Sequence, residues 1–122
     1  MDFDEILEKN DAAMLREYLT AHDVDEEENG QTLLYRATFH GKVNIVEELI
    51  QYGAEINRQD PLGRTPISCA SYFGLTRIAE LLLHNGADPY ICDYVGKTAL
   101  ERAKKGWEGQ THQAILELLK SA

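Results

Sequence analysis

The chain has 122 residues, 43% of them hydrophobic, and a formal net charge of −9 at pH 7. That is enough chain for one modest core and apolar enough to fold, so a single globular domain is expected and long disordered stretches are not. No apolar run approaches bilayer length, the acidic start MDFDEILEKN has no basic segment leading into an apolar one, and the negative balance disfavours nucleic acid and anionic lipid as partners.

The charge is concentrated at one end. Residues 1 to 29 hold eleven acids against Lys9 and Arg16, which accounts for −9, and the rest of the chain is neutral with ten acids and ten bases. Within this start, residues 3 to 9 and 12 to 21 carry two short amphipathic helical patterns, separated at Asn10, a residue that tolerates left-handed backbone. A charged outer face suits a solvent-facing end unit, and it would also attract a basic surface on a partner. The following run DVDEEENG puts Asp25, Glu27, Asn29 and Gly30 at calcium-loop positions, but Arg36 stands where such a loop needs its bidentate carboxylate. The run reads as a surface finger instead.

Three later stretches match one another. GQTLLYRA at 30–37, GRTPISCA at 63–70 and GKTALERA at 96–103 place Gly30, Gly63 and Gly96, then Thr32, Thr65 and Thr98, then Ala37, Ala70 and Ala103 at intervals of 33 residues. GKTAL taken alone looks like the end of a phosphate-binding loop. The second glycine such a loop requires is replaced by Ile91, and Lys97 merely shares the variable slot of Gln31 and Arg64. The repeated threonines are placed to cap helices, and Pro66 fits a first turn where no amide partner is needed.

A second block repeats at the same interval. HGKVNIVEELIQYGAEIN at 40–57 lies over FGLTRIAELLLHNGADPY at 73–90, with Gly41 and Gly74 placed to end one helix and Gly53 and Gly86 the next. The second helices NIVEELI and RIAELLL are apolar on nearly all sides and should be sandwiched between neighbouring units. In the last unit Ile115–Leu119 answers Ile78–Leu82 at a spacing of 37, so four extra residues sit within KKGWEGQTHQ, 104–113.

The 33-residue period, with TPISCA at 65–70 closest to the Thr-Pro-Leu-His-x-Ala mark, resembles the ankyrin repeat over nearly the whole chain. The resemblance implies an all-α solenoid of helix-turn-helix units with β-turn fingers. It would form one domain over 1–122, divided at about 1–25, 26–58, 59–91 and 92–122, the first and last units being caps. It also implies a protein-binding module. The expected contact slots flank the finger glycines and precede the mid-repeat glycines: Glu28, Asn29, Gln31, Phe39 and His40; Pro61, Leu62, Arg64, Tyr72 and Phe73; Tyr94, Val95 and Lys97. The aromatic members Phe39, Tyr72, Phe73 and Tyr94 are expected at the middle of the concave face, with His40 and Leu62 beside them and Arg64 and Lys97 at the margin. Asn57 resembles the finger asparagine modified by asparaginyl hydroxylases, the competing role being to brace the finger through its amide.

No catalytic constellation stands out. His22, His40, His84 and His112 are scattered, no HExxH or CxxC spacing occurs, and Cys69 occupies a helical slot where a small buried residue belongs. A Cys69–His40 nucleophile pair is the sole catalytic alternative, so the expectation is a non-enzyme without metal or cofactor. Two cysteines and no N-x-Ser/Thr sequon suit a cytoplasmic or nuclear setting, and no heptad pattern asks for more than a monomer. The expected role is an adaptor or scaffold for a protein ligand. The alternative is a stoichiometric inhibitor that occludes an enzyme, as small ankyrin-repeat inhibitors of cyclin-dependent kinases do and as an immunity protein could do to a toxin.

Overall fold

A computed structural model describes residues 2–121. Its helices come in consecutive pairs: α1 (Phe3–Lys9) with α2 (Ala12–Tyr18), and α3 (Leu33–Phe39) with α4 (Val43–Gln51). The same pairing continues with α5 (Pro66–Phe73) and α6 (Thr76–His84), then α7 (Ala99–Lys104) and α8 (Gln113–Lys120). A two-residue ribbon, β1 (Glu27–Glu28) against β2 (Gln31–Thr32), precedes α3, and a 3₁₀ turn over Trp107–Gly109 lies between α7 and α8. Among the described residues no helix is long and apolar enough to cross a membrane.

Helices of six to nine residues are too short to persist alone, so their ends and faces must be fixed from outside. The repeated threonines fix the starts. Thr32 Oγ1 accepts from the Tyr35 amide at 3.1 Å, while Thr65 with Ser68 and Thr98 with Glu101 form reciprocal capping boxes. Gly74 ends α5 in left-handed geometry at φ 71°, and Asn10 ends α1 the same way at φ 49°.

Packing then fixes the faces. The helices form two rows, α3–α5–α7 and α2–α4–α6–α8, with α1 closing against α2. In the second row Ile45, Leu49, Ile78, Leu82, Ile115 and Leu119 are buried between neighbours, as the near-continuous apolar runs predict. Ala37, Ala70 and Ala103 are fully buried in the first row, where their lack of a longer side chain lets the helices come close. Phe3, Ile6, Leu7, Leu15 and Tyr18 complete the core of the acidic first unit.

The loops before α5 and α7 are built around one aspartate each. Asp60 Oδ1 accepts from the amides of Leu62 and Arg64 at 2.9 and 2.8 Å, and Asp93 Oδ1 accepts from those of Val95 and Lys97 at 3.2 and 2.9 Å. Successive fingers are then stitched together. The Tyr94 amide donates to the Leu62 carbonyl at 3.0 Å, and the Gln59 side-chain amide donates to the carbonyls of Gly63 and Cys92 at 2.9 and 3.2 Å.

Candidate functional site

The fingers and the first-row helices share one face, and the expected contact residues lie along it in two groups. At the ends of α3 and α5, Phe39 and Phe73 meet edge to face with centroids 5.4 Å apart, and Tyr72 meets Phe73 at 4.9 Å. His40 stands against Phe39 at 5.3 Å. At the fingertips Leu62, Tyr94 and Val95 are 58%, 71% and 74% exposed, and Phe39 is 51% exposed, whereas Tyr72 and Phe73 are partly buried.

The structure changes the expected arrangement in three respects. Tyr94 does not join the other rings; it lies across Gly63, where an added Cβ would sit 2.5 Å from the Tyr94 Cδ1, and this seat holds it with the fingertips. Arg64 is central rather than marginal, because Asp60 draws its guanidinium back over the helices and toward the Tyr35 ring, 6.0 Å away. Lys97 pairs with Glu101 at 3.7 Å in a shallow depression that shares Arg102 with the central cleft and none of the aromatic residues.

Trp107 is the residue the repeat pattern missed. It lies 5.7 Å from Phe73 and 6.3 Å from Tyr72, which extends the aromatic row into the fourth unit, and it is itself 51% exposed. The four-residue insertion places it there. His112, at the end of the insertion, puts its Nε2 3.0 Å from the Tyr72 carbonyl and donates its backbone amide to Ala103 at 2.8 Å, pinning the loop onto the third unit. The 37-residue spacing and the lone tryptophan were the available signals.

Between the two groups lies a cleft of about 170 Å³. Arg64 and Arg102 border it, Tyr72 and Phe73 form one side, and Tyr35, Ser68 and Cys69 line the rest. Burial pushes the Cys69 thiol up to about 12, so it stays protonated at neutral pH. Burial likewise holds Tyr35 well above the usual phenol range, with the neighbouring Cys69 and Asp60 adding to the effect. No hydrogen bond joins Cys69 to His40 among the described residues.

Much of the acidic charge of the first unit is answered locally. Arg36 pairs with Asp4 and with Glu28, Lys9 with Glu5 at 3.6 Å and Arg58 with Glu27. Asn57 lies away from the cleft and bridges two loops: its Oδ1 accepts from the Asp88 amide at 2.8 Å and its Nδ2 donates to the Gly86 carbonyl at 3.4 Å.

A search of curated proteins finds no match to the chain. The family model for ankyrin repeats in three copies matches residues 6–93, well over half of the sequence. That span runs from within α1 through the third helix pair and includes two of the fingers that keep the 33-residue register, and on these grounds the chain belongs to the ankyrin-repeat family.

Proposed function

We propose that the protein is a non-catalytic adaptor or scaffold that holds one protein ligand on the face between its fingers and first-row helices. Ankyrin repeats are protein–protein interaction modules, and a rigid stacked surface of this kind is how such arrays recognise partners. The observation that carries the reading is the run of rings in which half-exposed Phe39 and Trp107 flank the partly buried Phe73, together with the exposed fingertips Leu62, Tyr94 and Val95. Aromatic and arginine side chains are the types that dominate interface energies. The protonated state of Cys69 supports the non-catalytic part, because a thiol nucleophile needs the opposite shift. Cys69 and Cys92 are both free, which fits a reducing compartment. Asn57 is assigned a bracing role, since both ends of its amide are engaged, in preference to a modification site.

The test uses the native partner, captured from the source cells and identified by mass spectrometry. Phe39→Ala, Tyr94→Ala and Trp107→Ala are each expected to weaken its binding, by about 2 kcal/mol for the strongest, with unchanged unfolding midpoints because all three side chains are at least half exposed. Full affinity in all three variants would rule this face out. A partner that turns out to be an enzyme, silent while bound, would make the same face inhibitory.

A further inference from the structure

Helix position 36 and its equivalents 33 residues on hold Arg36, Cys69 and Arg102. The two arginines fill their slots and pair with acids, Arg36 with Asp4 and Glu28, Arg102 with Asp93. The cysteine between them is four atoms shorter in reach, and it lines the cleft. Its rim is unusual in composition. Two guanidiniums border it, and none of its lining residues is acidic.

The arginines are held from behind. Arg64 directs Nε and Nη2 to Asp60 Oδ2, and Arg102 directs Nε and Nη2 to Asp93 Oδ2, while each aspartate is buried and anchored by two finger amides. The Nη1 group of each guanidinium has no hydrogen-bond partner among the described residues. Such an arrangement fixes two donor groups in place before any ligand arrives, and planar guanidinium donors match a carboxylate. Lys104 and Lys105 lie in the adjoining depression with no ion-pair partner among the described residues, so the surroundings add positive charge. The acidic unit is at the opposite end of the array.

Building on the protein-binding reading above, we propose that the cleft receives the carboxylate of a Glu or Asp side chain from an extended segment of the partner. That carboxylate binds the free edges of Arg64 and Arg102. Neighbouring apolar side chains of the segment lie on the Phe39–Phe73–Trp107 row to one side and on Leu62 and Tyr94 to the other. Charge complementarity therefore asks for an acidic anchor at the third and fourth units, whereas the first unit favours basic groups.

The experiment pans the intact protein against random linear peptides displayed on phage. Enriched sequences are expected to share one acidic position beside apolar residues, and Glu→Gln at that position in the synthetic peptide should raise Kd about tenfold or more. Arg102→Gln in the protein should erase the preference for Glu over Gln. Cys69→Met, which fills the cleft without adding charge, should do the same, and the peptide substitution gives a reading that does not depend on how either variant folds. Absence of enrichment, enriched peptides without an acid, or a Glu→Gln change of less than about twofold would overturn the proposal. A phosphoserine peptide binding more than about tenfold tighter than its Glu counterpart would replace the carboxylate with a phosphate ligand. If the native partner is lost from the aromatic variants while no acidic preference emerges, the face reading stands and this inference alone fails. Acidic peptides that bind regardless of Phe39 and Trp107 would leave the cleft as a site and remove the wider face.

Discussion

The finger before α3 and the fingers before α5 and α7 hold the same register but close by different chemistry. In the third and fourth units a buried aspartate gathers two amides with one oxygen and an arginine with the other. The equivalent residue of the second unit is Glu27, which is exposed. Its carboxylate lies outward, and the turn keeps backbone pairing alone, Glu27 opposite Thr32 and Glu28 opposite Gln31, whereas the other fingers add the aspartate bonds to backbone closures from Asp60 to Arg64 and from Asp93 to Lys97. Asn29 and Gly30 connect the strands at φ 55° and 78°, the geometry of a type I′ hairpin turn. The two kinds of finger thus differ in display: one draws its carboxylate inward and displays arginine, the other displays carboxylate. Glu27 and Glu28 are left to meet Arg58 and Arg36 at the surface.

The comparison depends on the core being alike beneath both kinds of finger. Leu49 and Leu82 are equivalent and fully buried, so Leu49→Ala and Leu82→Ala should each cost about 2–5 kcal/mol in a urea titration. If one is costly and the other silent, the units differ at the core and not only at the fingers.

A smaller effect separates the fingers themselves. Asp60→Ala or Asp93→Ala strands amides and a guanidinium and should cost about 1–3 kcal/mol, whereas Glu27→Ala should stay within about 0.5 kcal/mol. Equal costs would break the distinction. Asp93 adds a pH signature. Burial pushes its carboxyl up, but the Arg102 guanidinium and the Lys97 and Val95 amides outweigh this and hold it below the usual carboxylate range. A folded-state value below the unfolded one means the contribution is complete above about pH 4 and is lost as pH falls through the folded value. Asp93→Asn should accordingly flatten the acid limb of the stability profile.

A further small effect is expected at the finger glycines. Gly96 has open space around its Cα, so Gly96→Ala should cost only the left-handed strain of a φ of 84°, about 1 kcal/mol. Gly63→Ala should exceed it, because the new methyl would also displace the Tyr94 ring. Equal midpoints for the two variants would mean that the ring moves aside freely.

What was legible in the sequence was local and periodic. The Thr32, Thr65 and Thr98 caps, the buried alanine slots and the left-handed Asn10 and Gly74 each depend on a few adjacent residues, so repetition exposed them. The site was less legible because it depends on contrasts between units. Arg64 becomes central because Asp60 draws its guanidinium back, and the cleft it borders is lined by Cys69 where the neighbouring units carry Arg36 and Arg102. Trp107 falls inside an insertion that has no counterpart at the period, and the contact that places its loop joins His112 to Tyr72, forty residues apart. The Asn-Gly pair at 29–30 carries a hairpin signal of its own, which the equivalent Leu62-Gly63 and Val95-Gly96 do not share.

The Tyr94 ring resting on the bare backbone of Gly63, with its amide bonded to Leu62, has a consequence for the thermodynamics of recognition. Two loops that would otherwise have to be immobilised separately are already one body. A ligand that touches either tip meets both in their final positions, and the ordering entropy that free loops would lose on association has been lost during folding. Arg64 and Arg102, tied down by their aspartates, are prepared in the same way. Affinity on this face should therefore respond to the fit of the ligand more than to its ability to organise the receptor, and unliganded and liganded fingertips should superimpose.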